Sequence, residues 1–381
     1  MNIEHYFDWA ATSPADEDIL KNSLDLFLAN WANPSSAHKE GKNARKLLEE
    51  ARELCALKFG VKANQITFTS GGTESDQIVL LSMLEKPKAG TILISSIEHP
   101  AIREQALALK SCGWNIVQIP SDKAGIITPE AVRKCLTEDT MLVCVMAVNN
   151  ETGAIQPVYE IADLITKTYA GKRKPKFHTD CVQAAGKIPM NLNYEGIDSA
   201  AFSAHKICGP KGIGILYNKV PLTPFLKGGG QENGIRSGTE NVMGAVAFSK
   251  CLERYYNKDN STQAEITASF VKSLSELKGC TIVPEERLEN PQNYSPYVIQ
   301  AAFENIPGNV MLRALDSQGF YISTGSACST KKNSRPILEA MNVDSKIRET
   351  AVRFSFGPHT TKKAIDELLN AVAAINMQFN G

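Results

Sequence analysis

Apolar positions in the first half of the chain follow two alternating rhythms. One is a short unbroken run, as in "QITFT", "TILISS", "NIVQIP" and "MLVCVMAV". The other recurs every three to four residues, as at Ile19, Leu20, Leu24, Phe27 and Leu28. Unbroken aliphatic and β-branched runs predict strands covered on both faces, and the longer period predicts amphipathic helices. "QITFT" leads into the helical pattern "SGGTESDQIVLLSML", and "TILISS" into "IEHPAIREQALALKS". "NIVQIP" precedes a helix opened by Thr128, Pro129 and Glu130, and "MLVCVMAV" precedes one over about 157–169. "KFHTD", "SAAFSAH" and "GIGILY" supply further strands. Earlier helices are expected after Ser13 and Pro14 and over about 44–59, the second stopping at Gly60. Strands that alternate with helices predict an α/β fold with a mostly parallel sheet.

The rhythm changes after a helix over about 241–256, which ends in the polar stretch "NKDNSTQ". Beyond it the pattern predicts a smaller α+β unit. Its parts are a helix over about 262–278, strands at "TIVP" and "YVIQAAF" and a helix over about 309–318. A last helix opens at Thr360 or Thr361 and buries Ile365, Leu368, Leu369, Val372 and Ile375. We therefore expect a large domain over 15–256 and a small domain built from 1–14 with 257–381.

Composition narrows the partners. Across 381 residues, 41 basic side chains balance 41 acidic ones, so bulk electrostatics favours neither nucleic acid nor an anionic membrane. The start, "MNIEHYFDWAATSP", is acidic without an apolar core, unlike a signal peptide, and the apolar run 141–148 is too short to span a bilayer. The expectation is a cytoplasmic chain. Nine cysteines with no C-x-x-C pair argue against a disulfide framework and against a metal site made by this chain alone. Cys55 and Cys144 sit inside apolar patterns as small core residues. Cys328 does not: it lies in "STGSACSTKKNS", a polar stretch outside any period and suited to carrying an exposed thiolate.

Unusual residues mark the strand ends, where open α/β sheets bind ligands. The turn "SGGTES" at 70–75, with Gly72 and Thr73, opens straight into a helix. Free N–H groups and the positive helix end make an anion cradle there, although a plain helix cap has the same sequence. No Walker lysine and no G-x-G-x-x-G follows, so a single phosphate fits better than a nucleotide. His99 is stiffened by Pro100 and suits stacking on a planar ring. Asp180 ends "KFHTD", where a buried carboxylate needs a cation or a donor, or else caps the next segment; Gln183 follows within reach. Ser203 and His205 alternate in "SAAFSAHK" and are expected to face one way. Lys206 comes next, before a run of glycine and proline, where a desolvated amine becomes a nucleophile toward an aldehyde. A phosphate cradle, a stacking histidine, an aspartate for a ring nitrogen and a Schiff-base lysine together match pyridoxal phosphate.

The ordered set "YFDWAATSP", "NPSSAH", "TSGGTESD", "EHPAI", "VNNETGAIQP", "HTDCVQAAGK", "SAHKICGPKGIG", "GGGQENGIRSGTEN" and "STGSACST" resembles the cysteine desulfurases. These are the NifS/IscS-like branch of the class V aminotransferases, pyridoxal-phosphate enzymes of fold type I with a seven-stranded, mostly parallel large-domain sheet. The resemblance implies that Lys206 forms the internal aldimine, that His99 stacks on the ring and moves protons, and that Asp180 pairs with the ring nitrogen. It implies that Gln183 meets the phenolic oxygen and that Gly72, Thr73, Ser203 and His205 hold the phosphate. Thr239 would reach the phosphate of a second subunit, which implies a homodimer. Asn150 and Arg353 would bind the carboxylate of L-cysteine; independently, a guanidinium fork matches a carboxylate. Cys328 would accept the sulfur as a persulfide, leaving L-alanine, for delivery to an iron–sulfur scaffold or a tRNA-thiolation protein. The nearest alternatives are a selenocysteine lyase, a cysteine sulfinate desulfinase or another class V aminotransferase; none of these needs a thiol on an arm.

Overall fold

A computed structural model of the chain describes residues 3–325 and 335–380. Its larger sheet takes β1 (Ile66–Thr69), β2 (Thr91–Ser95), β3 (Asn115–Ile119), β4 (Thr140–Cys144), β5 (Lys176–Asp180), β6 (Ser199–Ser203) and β7 (Gly214–Asn218). They lie in the order β1-β7-β6-β5-β4-β2-β3. The pairs from β3 through β6 are parallel, and β7 runs antiparallel to both β6 and β1. The mostly parallel sheet expected from the apolar runs is present. Every residue of β2, β6 and β7 is buried, whereas β3, at the edge, is largely not.

Helices cover both faces. The helices Lys39–Phe59 and Val242–Tyr255 pack on one side, where Phe59 stacks on Phe202 with ring centroids 4.5 Å apart. Val79, Leu80, Ile102 and Ala106, from the helices Gly72–Leu81 and Pro100–Leu109, pack against Ile92, Ile94 and Leu142 on the other. Each of the larger of these side chains, fully buried, contributes about 1.5–3 kcal/mol. The end signals act as expected. Thr128 accepts from the Ala131 amide to cap Pro129–Cys135, and Gly60 closes Lys39–Phe59 in the left-handed region.

The first helix departs from expectation. It spans Glu17–Ala29 and is capped by Asp16, not by Ser13. The Ser13 hydroxyl is taken by the turn that follows β6: it donates to the His205 carbonyl and accepts from the Cys208 amide. Ile19 is buried, but Leu24 and Leu28 are 42% and 60% exposed, because no element among the described residues covers that flank of the helix.

A second sheet holds β8 (Cys280–Val283), β9 (Val298–Phe303) and β10 (Ala351–Ser355) in the antiparallel order β10-β9-β8. Helices Ser261–Ser275, Gly308–Asp316 and Lys362–Asn380 build its core, and Phe7 from the N-terminal segment packs into it. Thr361 caps the last helix by accepting from the Ala364 amide. No helix among the described residues is long and apolar enough to cross a membrane.

Candidate active site

A cavity of about 240 Å³ opens beyond the carboxyl ends of the parallel strands. Its lining includes Gly72, Thr73, His99, Asn150, Asp180, Gln183, Ser203, His205, Lys206 and Arg353. These residues span most of the chain; all but Arg353, which sits within a strand of the second sheet, close a strand of the larger sheet or lie in the segment after one. Thr239 is exposed and does not line the cavity, and Cys328 lies outside the described residues. Among the described residues no group of three or more His, Cys, Asp or Glu is placed to hold a metal ion.

On one side, Gly71 precedes the helix Gly72–Leu81 with no side chain capping that end. A Cβ on Gly72 would stand 2.6 Å from Val182 Cγ2, so only glycine lets the turn approach so closely. Ser203 ends β6, but His205 is not on the strand; it sits in the turn Ala204–Lys206. The expected alternation along the strand therefore gives way to a tight turn, yet both side chains reach the cavity. Burial, then the Lys206 charge, lowers His205 to about 4, and its Nδ1 lies 3.1 Å from Thr12 Oγ1.

Lys206 Nζ donates to the carbonyls of Ala10 at 2.5 Å and Ala11 at 2.7 Å, which hold the amine at a set point. His99 caps Pro100–Leu109: its Nδ1 accepts from the Ala101 amide at 3.1 Å, which fixes the ring plane. Burial, then Lys206, lowers it to about 4, so the ring is neutral near pH 7.

Asp180 accepts from the Val182 amide at 2.8 Å and forms no salt bridge among the described residues. Burial, then the neighbouring Asp76, raises it to about 7. Asp76 itself lines the cavity, with Oδ1 3.0 Å from His178 Nε2 and Oδ2 without a partner among the described residues. His178 Nδ1 lies 2.8 Å from Ser199 Oγ. Glu98, fully buried, accepts through Oε1 from Ser95 Oγ at 2.5 Å and the Met146 amide at 2.8 Å, and its Oε2 has no partner. Sequence reasoning missed this layer of Asp76, Glu98 and His178. Its only signal was acidic residues set among apolar or small ones, "TESD" and "SIEHP". Buried carboxylates this close cannot all ionise, so the layer holds protons and favours a cation beside Asp180.

Arg353, on β10, is 2% exposed; Nη2 donates to Asp8 Oδ1, Nη1 donates to the Asn150 carbonyl, and Nε has no partner among the described residues. The Asn150 side-chain oxygen likewise has none among them. Two buried polar groups on one wall with spare capacity suit a polar ligand that supplies what the protein does not.

The sequence matches the model of the class-V aminotransferases over residues 5–368. The chain belongs to the class-V aminotransferase family. Within that family it is similar to the cysteine desulfurase IscS of Dictyoglomus turgidum, with 35% identity over 98% of this chain and 95% of the relative. It is 34% identical to the cysteine desulfurase IscS of Methanosarcina thermophila over 97% of this chain and 91% of the relative. Among solved structures, a NifS-like protein superposes with a TM-score of 0.89 at 35% identity, covering 98% of this chain and all of that one. This class-V chain thus sits on the NifS/IscS-like branch, and its two-sheet α/β architecture is shared with those neighbours.

Proposed function

We propose that this chain is a pyridoxal-phosphate-dependent cysteine desulfurase, a sulfurtransferase that takes sulfur from L-cysteine and releases L-alanine. The observation that carries the proposal is the meeting in one cavity of a held lysine amine, a carboxylate with no salt bridge among the described residues, a neutral fixed imidazole and an uncapped helix end. The residues fit the cofactor one group at a time. Gly72, Thr73, Ser203 and His205 suit a phosphate, and Lys206 suits covalent attachment. His99 suits the ring face, Asp180 the ring nitrogen and Gln183 the phenolic oxygen. The bound cofactor supplies an electron sink for the bonds at the substrate's α- and β-carbons.

The chain's own residues do the rest. Asn150 and Arg353 would bind the substrate carboxylate and orient the α-carbon toward Lys206, whose amine would take the α-proton. His99, neutral and fixed, can pass a proton on. Cys328 attacks the substrate sulfur: a new S–S bond forms, the carbon–sulfur bond breaks, and its electron pair remains with the carbon fragment that becomes alanine. Cys328 leaves as a persulfide and hands its sulfur to an iron–sulfur scaffold or a tRNA-thiolation protein.

We also propose a homodimer of cytoplasmic location in which Thr239 meets the second subunit's phosphate; its exposure away from its own cavity supports this. The proposed domain division is 15–256 against 1–14 with 257–381, supported by the packing of Phe7 in the core around the smaller sheet.

The test is incubation of purified protein with L-cysteine, followed by an alanine assay and mass measurement of the peptide carrying Cys328. One added sulfur atom and equimolar alanine are expected. Cys328→Ala should keep the cofactor's visible absorbance and lose the persulfide; unchanged sulfide release by that variant would overturn the assignment.

A further inference from the structure

Lys187 is a buried lysine that the proposed reaction does not use. It is 7% exposed and forms no salt bridge among the described residues, an arrangement that costs stability unless the amine does something. After β5 the chain runs through consecutive turns: the Ala185 amide donates to the Cys181 carbonyl, and the Lys187 amide to the Ala184 carbonyl, both at 3.0 Å. The turns bring the Lys187 side chain onto Gln183, and Nζ donates to Gln183 Oε1 at 2.5 Å.

Nζ donates in this contact, and in its protonated form it has three donors and no acceptor, so the end of the amide that faces it is the carbonyl. The Gln183 NH2 group is thereby turned the other way. It gives one N–H to the Ala10 carbonyl at 2.9 Å and keeps its second. Gln183 lines the active-site cavity; Lys187 lines a neighbouring cavity of about 270 Å³ with Trp9, Lys206 and Tyr255. Lys187 therefore acts through Gln183.

We propose that Lys187 is a positioning residue, which fixes the Gln183 amide so that it offers the cofactor's ring oxygen a donor rather than an acceptor. This rests on the pyridoxal-phosphate reading above. The surroundings add an electrostatic consequence. Burial, then the charges of Lys206 and Arg353, bring the Lys187 amine down to about 7, and Cys208, Tyr255, Lys258 and Asp259 are the other titratable groups around it. Below about pH 7, where the Lys187 amine carries its proton, its charge opposes one at Lys206, so removing it there makes a proton on the Lys206 nitrogen easier to hold.

The experiment compares holoprotein of the wild type, Lys187→Met, Lys187→Arg, Gln183→Leu and the double variant Lys187→Met with Gln183→Leu. Pyridoxal-phosphate dissociation is measured by reconstitution, and the pH midpoint of the bound cofactor's visible absorbance by titration. Lys187→Met should weaken cofactor binding about tenfold, the worth of one lost charge-supported hydrogen bond, and move the midpoint upward. Lys187→Arg should restore affinity to within about threefold of wild type. The double variant should bind no more weakly than Gln183→Leu alone, since the two residues act as one unit. Should Lys187→Met lack a folded baseline in thermal melting, Lys187→Gln takes its place, because its amide accepts as readily as it donates and no longer dictates which end of Gln183 it meets. Unchanged affinity and midpoint in these variants, or losses that multiply in the double variant, would overturn the role of Lys187 alone. A wild-type protein that takes up no pyridoxal phosphate would sink the cofactor reading and this inference with it.

Discussion

Arg353 and Asp8, 345 positions apart, form one unit at the edge of the cavity. Arg353 Nη2 donates to Asp8 Oδ1 at 2.8 Å, and Nη1 donates to the Asn150 carbonyl at 2.9 Å. The pair aims the guanidinium while Nε meets no partner among the described residues. A single ammonium cannot reproduce this planar fork. Arg353→Lys should therefore raise KM for L-cysteine about tenfold or more, with the cofactor's absorbance kept; steady-state kinetics checks this.

Lys206 meets two backbone carbonyls of the N-terminal segment, so its reach is set before any ligand arrives. Lys206→Ala should lose all covalent attachment of pyridoxal phosphate. Borohydride reduction followed by peptide mass analysis should show the label on the Lys206 peptide of the wild type and none in the variant.

Glu98 gives a pH signature. Burial raises its carboxyl from 4.5 to about 8, with Asp180 and Asp76 adding to the effect. Between those values the folded protein holds a proton that the unfolded chain has released. The stability from this group is therefore full below about pH 4.5 and lost as pH rises through about 8. Glu98→Gln mimics the protonated form, so it should gain stability relative to wild type as pH rises from about 5 to about 8. Urea midpoints at both ends of that range test the sign, and a constant difference would contradict it.

Arg52 and Glu232 form a buried bidentate pair at 2.7 and 2.8 Å, and Glu232 also accepts from the Phe68 amide of β1. Removing one partner strands the other charge in the interior. Arg52→Met should cost about 3–5 kcal/mol of unfolding free energy, read from chemical denaturation. Replacing both with apolar residues should cost much less.

Much of the architecture was legible because it is written in local periods. The run "MLVCVMAV" can only be a covered strand or a buried helix segment, and its length and β-branching select the strand. Asp180, His99 and Lys206 could be singled out because each breaks an apolar or stiff context at a strand end. Other features left no such trace. "AVRFS" has the composition of many strands, and it became β10 through its pairing with β9. Leu24 and Leu28 carry a core-like period and yet stay exposed, because a period tells which face is apolar and not whether anything covers it.

The chain alone determined most of the strands and helices and which residue types could serve a phosphate, a ring and an aldehyde. Tertiary structure alone decided that Asp76, Glu98 and His178 stand behind Asp180, that Asp8 holds Arg353, and that Lys187 turns the amide of Gln183. Local conformation depends on neighbours a few positions away, whereas burial, charge coupling and hydrogen-bond partners depend on the order in which strands join a sheet. That order, β1-β7-β6-β5-β4-β2-β3, brings distant residues to one cavity, and no local period encodes it.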